Sequence, residues 1–295
     1  MIQTNELDYA LERRLQIINP ALHRHFTDAV FGLQNVLSNY KNLFPAYTDH
    51  TELHSLNVID FCNRLIGNQI EKLNADEIYS LLLGCYFHDT GMGISKKDYE
   101  RFSKEIDFGD YFETHTKDDP SRIIRDFHNE FSGCFIRKYA EFFEIPSKDH
   151  LWTIIEISRG HRKTPLLDEK QYPVSLELEN GSSICVPYLA ALIRLADEID
   201  VSKQRNSILM YDSSAFTEEN DIMQFKRHEA IREMQMTPDE FILHVKTDSD
   251  KVMDSIRTVA TKMQFVLDEC RKAVNGRTPF TISQKQVVIQ KIVEE

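Results

Sequence analysis

Apolar positions recur at helical spacing up to about residue 200, and the breaks between runs carry start and stop signals. Asp49-x-x-Glu52 and Asn74-x-x-Glu77 have the form of capping boxes, each opening an apolar-periodic segment. The first predicts a helix through Leu53, Leu56, Ile59, Leu65 and Ile66. The second predicts one through Ile78, Leu81, Leu82 and Cys85 that Gly91 stops. Asp119-Pro120, a cap followed by proline at the first helical position, starts a helix to about Phe143. Ser147 starts another to about Gly160, and Pro187 to Ile199 reads as a buried helix.

Two stretches break the pattern. Gly93 to Asp118 is polar and acidic with little periodicity, and reads as a loop or lid. Ser175 to Val186 alternates around Asn180-Gly181, a hairpin signal. Beyond residue 206 the texture changes: Phe241 to Thr247 and Gln286 to Val293 read as strands flanking a helix from Asp250 to Val274. The fold class expected is mainly α, a helical bundle over residues 1–205 with a short β-hairpin insertion, followed by a small α/β appendix over 206–295. That appendix is suited to dimerisation or docking, so a homo-oligomer formed through it is an expectation.

Charge narrows the function classes. Thirty-five Lys and Arg stand against 47 Asp and Glu, a net charge of −12. A duplex-binding surface needs clustered cations against phosphate, so it is not expected, although a small basic pocket for one nucleotide is compatible. The five cysteines form no C-x-x-C pair and sit among apolar neighbours, which reads as buried thiols. Glu6, Asp8, Glu12, Arg13 and Arg14 stand where a signal peptide would be apolar, and the run Ile78 to Phe87 falls short of the roughly 20 residues that span a bilayer. A soluble, cytoplasmic protein without a membrane partner is expected.

Ligand-type residues recur along the predicted helices. His88-Asp89 closes the apolar run LLLGCYF, so a carboxylate emerges at the end of a buried element, where an unpartnered charge would be costly and a metal would compensate. His54 lies on the first helix with His50 one turn before it, His128 on the third, and His161 closes the fourth within RGHRK. Asp197 sits inside ALIRLADEID, with Asp200 on the same face. Singly, His54, His128 or His161 reads more readily as a hydrogen-bonded helix residue than as a ligand, and Asp197 reads equally as a partner of Arg194. Together, one His or Asp from each of five helices is how bundles build metal sites.

The order His54…His88-Asp89…His128…His161…Asp197, with HSLNVI, CYFHDTGMG and LIRLADEID around it, resembles the HD-domain superfamily of metal-dependent phosphohydrolases. YTDHTELHS and ALIRLADEIDVSKQR look most like a bacterial subgroup whose module also occurs fused to Hsp90-like ATPase domains. The resemblance covers about Phe44 to Arg205 and implies an HD-type helical bundle. It implies that His54, His88, Asp89 and Asp197 hold one metal, and that Asp89 bridges to a second completed by His128 and His161. Such ligands suit one or two divalent ions among Mn, Fe, Ni, Co, Zn or Mg. The implied reaction uses a metal-activated water to cleave a phosphomonoester or phosphodiester of a nucleotide. Arg159, Arg162 and Lys163 beside His161, with Lys203 and Arg205 after Asp200, are the cations available for phosphate. His50 is either a substrate contact and proton donor or a plain cap.

Departures narrow the subfamily. Met92 stands where cyclic-dinucleotide phosphodiesterases of the HD-GYP type usually carry lysine, and no GYP triplet occurs. The acidic pair of nucleotidase relatives has no clear counterpart, although Glu100 and Asp107 are near. Alternatives are a single-strand nuclease, a non-catalytic nucleotide-binding or scaffold module that retains the metal, and a mixed-valent diiron oxygenase.

Overall fold

The computed structural model describes residues 9–38, 52–115, 119–201 and 219–292. Eleven α-helices occur among them, with one sheet of two strands and one of three. In chain order these are α1 (Ala10–Ile18), α2 (Pro20–Ser38), α3 (Glu52–Ile66), α4 (Ala75–Phe87), α5 (Lys96–Phe102), α6 (Tyr111–Thr114), α7 (Pro120–Tyr139) and α8 (Lys148–Arg159). They continue with β1 (Leu176–Glu177), β2 (Ser183–Ile184), α9 (Val186–Ile199), α10 (Glu219–Ala230), β3 (Ile231–Met236), β4 (Glu240–Val245), α11 (Asp250–Val274) and β5 (Gln286–Lys291).

Helix α4 is the axis of the bundle. Every residue from Asp76 to Phe87 is buried, and α1, α2, α3, α8 and α9 pack around it. The helix begins as a capping box, with Asn74 Oδ1 accepting from Glu77 N at 2.9 Å and Glu77 Oε2 from Asn74 N at 3.1 Å. Gly84 makes the close packing possible, because a Cβ there would stand 2.8 Å from both Ile157 and Ile193. Gly160 does the same between α8 and α9, where a Cβ would meet that of Ala190 at 2.7 Å. These approaches bring the C-terminal ends of α4 and α8 together against α9.

Helices α7 and α8 begin on the expected caps, Asp119 and Ser147. Strands β1 and β2 pair antiparallel across Asn180-Gly181, with Gly181 at a φ of 82°. The expected box at Asp49 lies outside the described residues. Gly93 to Asp118 departs from its reading as a loop: α5 and α6 occupy part of it. Ser95 caps α5, and Phe102 is buried beneath it. Phe108, Phe112 and Phe127 cluster with ring centroids about 5 Å apart. The helices there are too short for a periodic signal to build up.

In the extension, β4 is central, antiparallel to β3 and parallel to β5, with α11 as the crossover. Phe241, Leu243 and Val245 of β4 alternate into the core. The extension is sewn to the bundle. Helix α11 packs along α9, Phe280 stacks on Tyr188 at 4.1 Å, and Gln69 exchanges two hydrogen bonds with the backbone of Thr281. All five cysteines are buried and free. No helix among the described residues is long and apolar enough to cross a membrane.

Candidate metal centre

The ligand-type side chains emerge where helices end or bend. His54 is in the first turn of α3, His88 caps α4 and Asp89 follows it. His161 follows α8, and Asp197 is in the last turn of α9. His128 follows a break in α7 at Phe127, whose backbone (φ −121°, ψ 18°) is non-helical. Two triads result, His54/His88/Asp89 and Asp89/His128/His161, each with one donor atom per residue within 4.8 Å of the others. All five of these residues are buried.

Asp89 divides its carboxylate between the triads. Its Oδ2 lies 3.5 Å from His54 Nε2 and 3.3 Å from His88 Nε2. Its Oδ1 lies 3.3 Å from His128 Nε2 and 3.8 Å from His161 Nε2. Asp197 Oδ1 approaches His54 Nε2 at 3.2 Å, so all six residues named from the sequence converge.

The backbone sets which nitrogen each ring offers. The Nδ1–H of His88 donates to Cys85 O at 2.7 Å and that of His128 to Arg125 O at 2.7 Å, while that of His161 donates to Ser158 O. Each bond reaches three residues back, so the ring is oriented by its own helix end. His54 differs: its Nδ1–H donates to Asp200 Oδ2 at 2.7 Å. With every Nδ1 committed, the Nε2 atoms point inward, and those of His128 and His161 are 2.8 Å apart. Burial, with Arg162 nearby, lowers the His128 pKa to about 4; burial, with His128 and His88, holds His161 well below the ordinary range. Both are therefore neutral and present lone pairs. For His88 burial works downward, but Asp89 and then Asp197 outweigh it and carry the pKa up to about 9. The lone pairs of His128 and His161 converge on Asp89, a cation would take the place of the proton that Asp89 and Asp197 hold on His88, and Asp200 orients His54 from behind. That donor set fits a divalent cation.

Among the described residues, three cavities lie at or beside the centre. One of about 410 Å³ contains Asp89, His128 and Asp197 in its wall, with Arg125, Arg162 and Arg227. A second, about 620 Å³, is lined by His161, Asp197, Arg162 and Lys163. The largest, about 770 Å³, holds none of the six ligand-type residues and lies alongside, lined by Tyr111, Phe127, Arg159, Arg162 and Lys163. Arg162 thus borders all three. Arg159 also reaches the largest, but its guanidinium is engaged by Glu130 at 2.7 Å and Glu156 at 3.2 Å. His50, Lys203 and Arg205 lie outside the described residues.

Arg194 turns away from Asp197. Its Nε donates to Gly160 O at 2.6 Å, and its Nη2 donates to Thr164 O and Oγ1 at 2.9 and 2.8 Å. It thereby clasps the loop that carries His161, Arg162 and Lys163. Sequence reasoning also missed Ser132, which accepts from Gly91 N at 2.8 Å and donates to His88 O at 2.7 Å. No local pattern marks that role. Asp200 had a signal in its spacing from Asp197, but only the fold shows that it meets His54.

A family model described as HD-CE matches residues 44–278, which takes in the bundle from before α3 and the extension through α11. No curated protein and no solved structure matches the chain.

Proposed function

This chain belongs to the HD-CE family, and we propose that it is a metal-dependent phosphohydrolase that cleaves a phosphomonoester or phosphodiester bond of a nucleotide. The observation that carries the reading is the pair of buried triads sharing Asp89, with histidine Nε2 atoms turned inward by backbone carbonyls.

In this reading His54, His88, Asp89 and Asp197 hold one divalent cation, and Asp89, His128 and His161 hold a second where two bind. Mn, Fe, Co, Ni, Zn and Mg are all compatible with the nitrogen and oxygen donors. A cation bound there supplies Lewis acidity and lowers the pKa of an adjacent water. The chain's own residues do the rest. Arg162 lines the cavity beside Asp89 and His128, where its planar fork matches phosphoryl oxygens. Lys163, exposed beside it, attracts the anion. Arg159, held by Glu130 and Glu156, braces the end of α8 and positions Arg162. Burial of the cluster limits competing water, which strengthens the interactions made within it.

The test is elemental analysis of protein reconstituted with Mn and desalted, beside Asp89→Ala, followed by phosphate-release assays on a nucleotide panel. We expect one or two ions per chain, lost in the variant, and metal-dependent hydrolysis reduced by about a hundredfold or more in Asp89→Ala. Circular dichroism should show the helical content of the variant unchanged. Metal retained by Asp89→Ala, or hydrolysis at the wild-type rate, would overturn the assignment.

A further inference from the structure

The 410 Å³ cavity beside Asp89 is not walled by the bundle alone. Gln224, Arg227 and His228 of α10, with Thr258, Val259 and Lys262 of α11, complete it. Its size falls within the range of about 300–1,000 Å³ usual for small-molecule sites. The extension therefore builds part of the space into which the candidate metal centre opens.

Arg227 is a wall residue with binding capacity left over. Its Nε is buried with no hydrogen-bond partner among the described residues. One terminal nitrogen reaches Ser255 Oγ at 3.5 Å, the outer limit of a hydrogen bond. The carboxylate whose charge acts on it is Glu198, which is already paired with Lys262 at 2.7 Å. A guanidinium stays charged even where burial disfavours it, so Arg227 is a half-buried cation short of acceptors.

The cavity as a whole is cationic within an acidic chain. Arg125, Arg162, Arg227 and Lys262 line it against three carboxylates, Asp89, Asp197 and Glu198. Two of those carboxylates belong to the metal cluster and the third is taken by Lys262. Three guanidiniums, from α7, from the loop after α8 and from α10, are thus gathered at one space. In the phosphohydrolase reading Arg162 takes the phosphoryl group at the metal cluster, and the donors of Arg227 are then available to another acceptor.

We propose that Arg227 is a specificity residue that binds a second phosphoryl group, so that the substrate class is nucleotides with two or more linked phosphates. The extension would then read the substrate. This inference rests on the phosphohydrolase reading of the centre and names its substrate class.

The test is isothermal titration of Mn-loaded protein with inorganic phosphate and with imidodiphosphate, a non-hydrolysable diphosphate. Wild type should bind imidodiphosphate at least about tenfold more tightly than phosphate. Arg227→Gln should lose that preference while binding phosphate within about twofold of wild type, and Arg227→Lys should keep part of it. Melting curves check that both variants fold; should Arg227→Gln not fold, Arg227→Lys with an undiminished preference counts against the fork. Arg227→Gln keeping the full preference, or losing both ligands equally, overturns the inference. If phosphate binding depends on Asp89 while the preference ignores Arg227, the inference alone fails. If neither anion's binding depends on metal or on Asp89, the phosphohydrolase reading fails and the inference falls with it.

Discussion

The Asp200 carboxylate is 1% exposed and accepts the Nδ1–H of His54 at 2.7 Å, three residues after an aspartate of the cluster itself. A carboxylate in that position fixes the tautomer and orientation of the ring and raises its basicity toward a cation. Asp200→Ala should therefore weaken metal affinity by about 10- to 100-fold while all six cluster residues remain. Competition with a fluorescent chelator would measure it, and unchanged affinity would show that His54 needs no such partner. Residue types in order were enough to name His54, His88, Asp89, His128, His161 and Asp197. The partners of Asp200 and Arg194 were out of reach, because each lies across the fold: residues 54 and 200 are neighbours only once α3 and α9 have packed.

Among the elements, the turn after α4 and the break in α7 are built against each other. A Cβ on Gly91 would stand 2.1 Å from the carbonyl oxygen of His128, and Ser132 ties the same turn to α7 through His88 O and Gly91 N. Backbone meets backbone here, so no rotamer change relieves a side chain. Gly91→Ala should cost about 3 kcal/mol or more in chemical denaturation and lower metal stoichiometry as well. A variant as stable as wild type would show that the turn can move. Elements with capping residues and sustained periodicity (α4, α7 and α8) were legible from sequence, as were α9 from its apolar run and the hairpin from its Asn-Gly turn. Helix α10 and β3 were not. Helix α10 is too polar for its periodicity to stand out, and the bulge near Ile231 breaks the alternation of β3.

Across the whole molecule, Asp76 joins three separate stretches of chain. It accepts from His150 Nε2 at 2.8 Å, Ser182 Oγ at 2.6 Å and Asn180 Nδ2 at 3.2 Å, which links α4 to the start of α8 and to the hairpin. The hydrogen bond from His150 leads in lowering its pKa from 3.8 to about 2, against the opposing effect of burial. A carboxylate depressed in the folded state stabilises above its unfolded pKa, and that contribution is lost as pH falls through the folded value. Asp76→Asn should therefore be less stable than wild type at pH 7, by about 1 kcal/mol once solvent screening is allowed for, and the gap should close between about pH 4 and pH 2. A gap independent of pH would mean that shape rather than charge matters there. The turn from helices to mixed strands and helix was legible as a change of texture, and the three-stranded sheet lies beyond it. How the appendix helps to wall a cavity was not, since Arg227 has no local motif and gains meaning only beside Arg125 and Arg162.

The triads draw their donors from α3, from the end of α4, from α7 and from the end of α8, with Asp197 of α9 beside them, and Asp89 belongs to both. An ion held there is bonded at once to segments that are far apart in the chain, and the unfolded chain cannot offer it the same cradle. Its binding free energy is then shared with folding through thermodynamic linkage, amounting to about 2.7 kcal/mol at a hundred times its dissociation constant. The abundance of the ion in its surroundings would thus govern how long the protein survives as well as, in the phosphohydrolase reading, how fast it works.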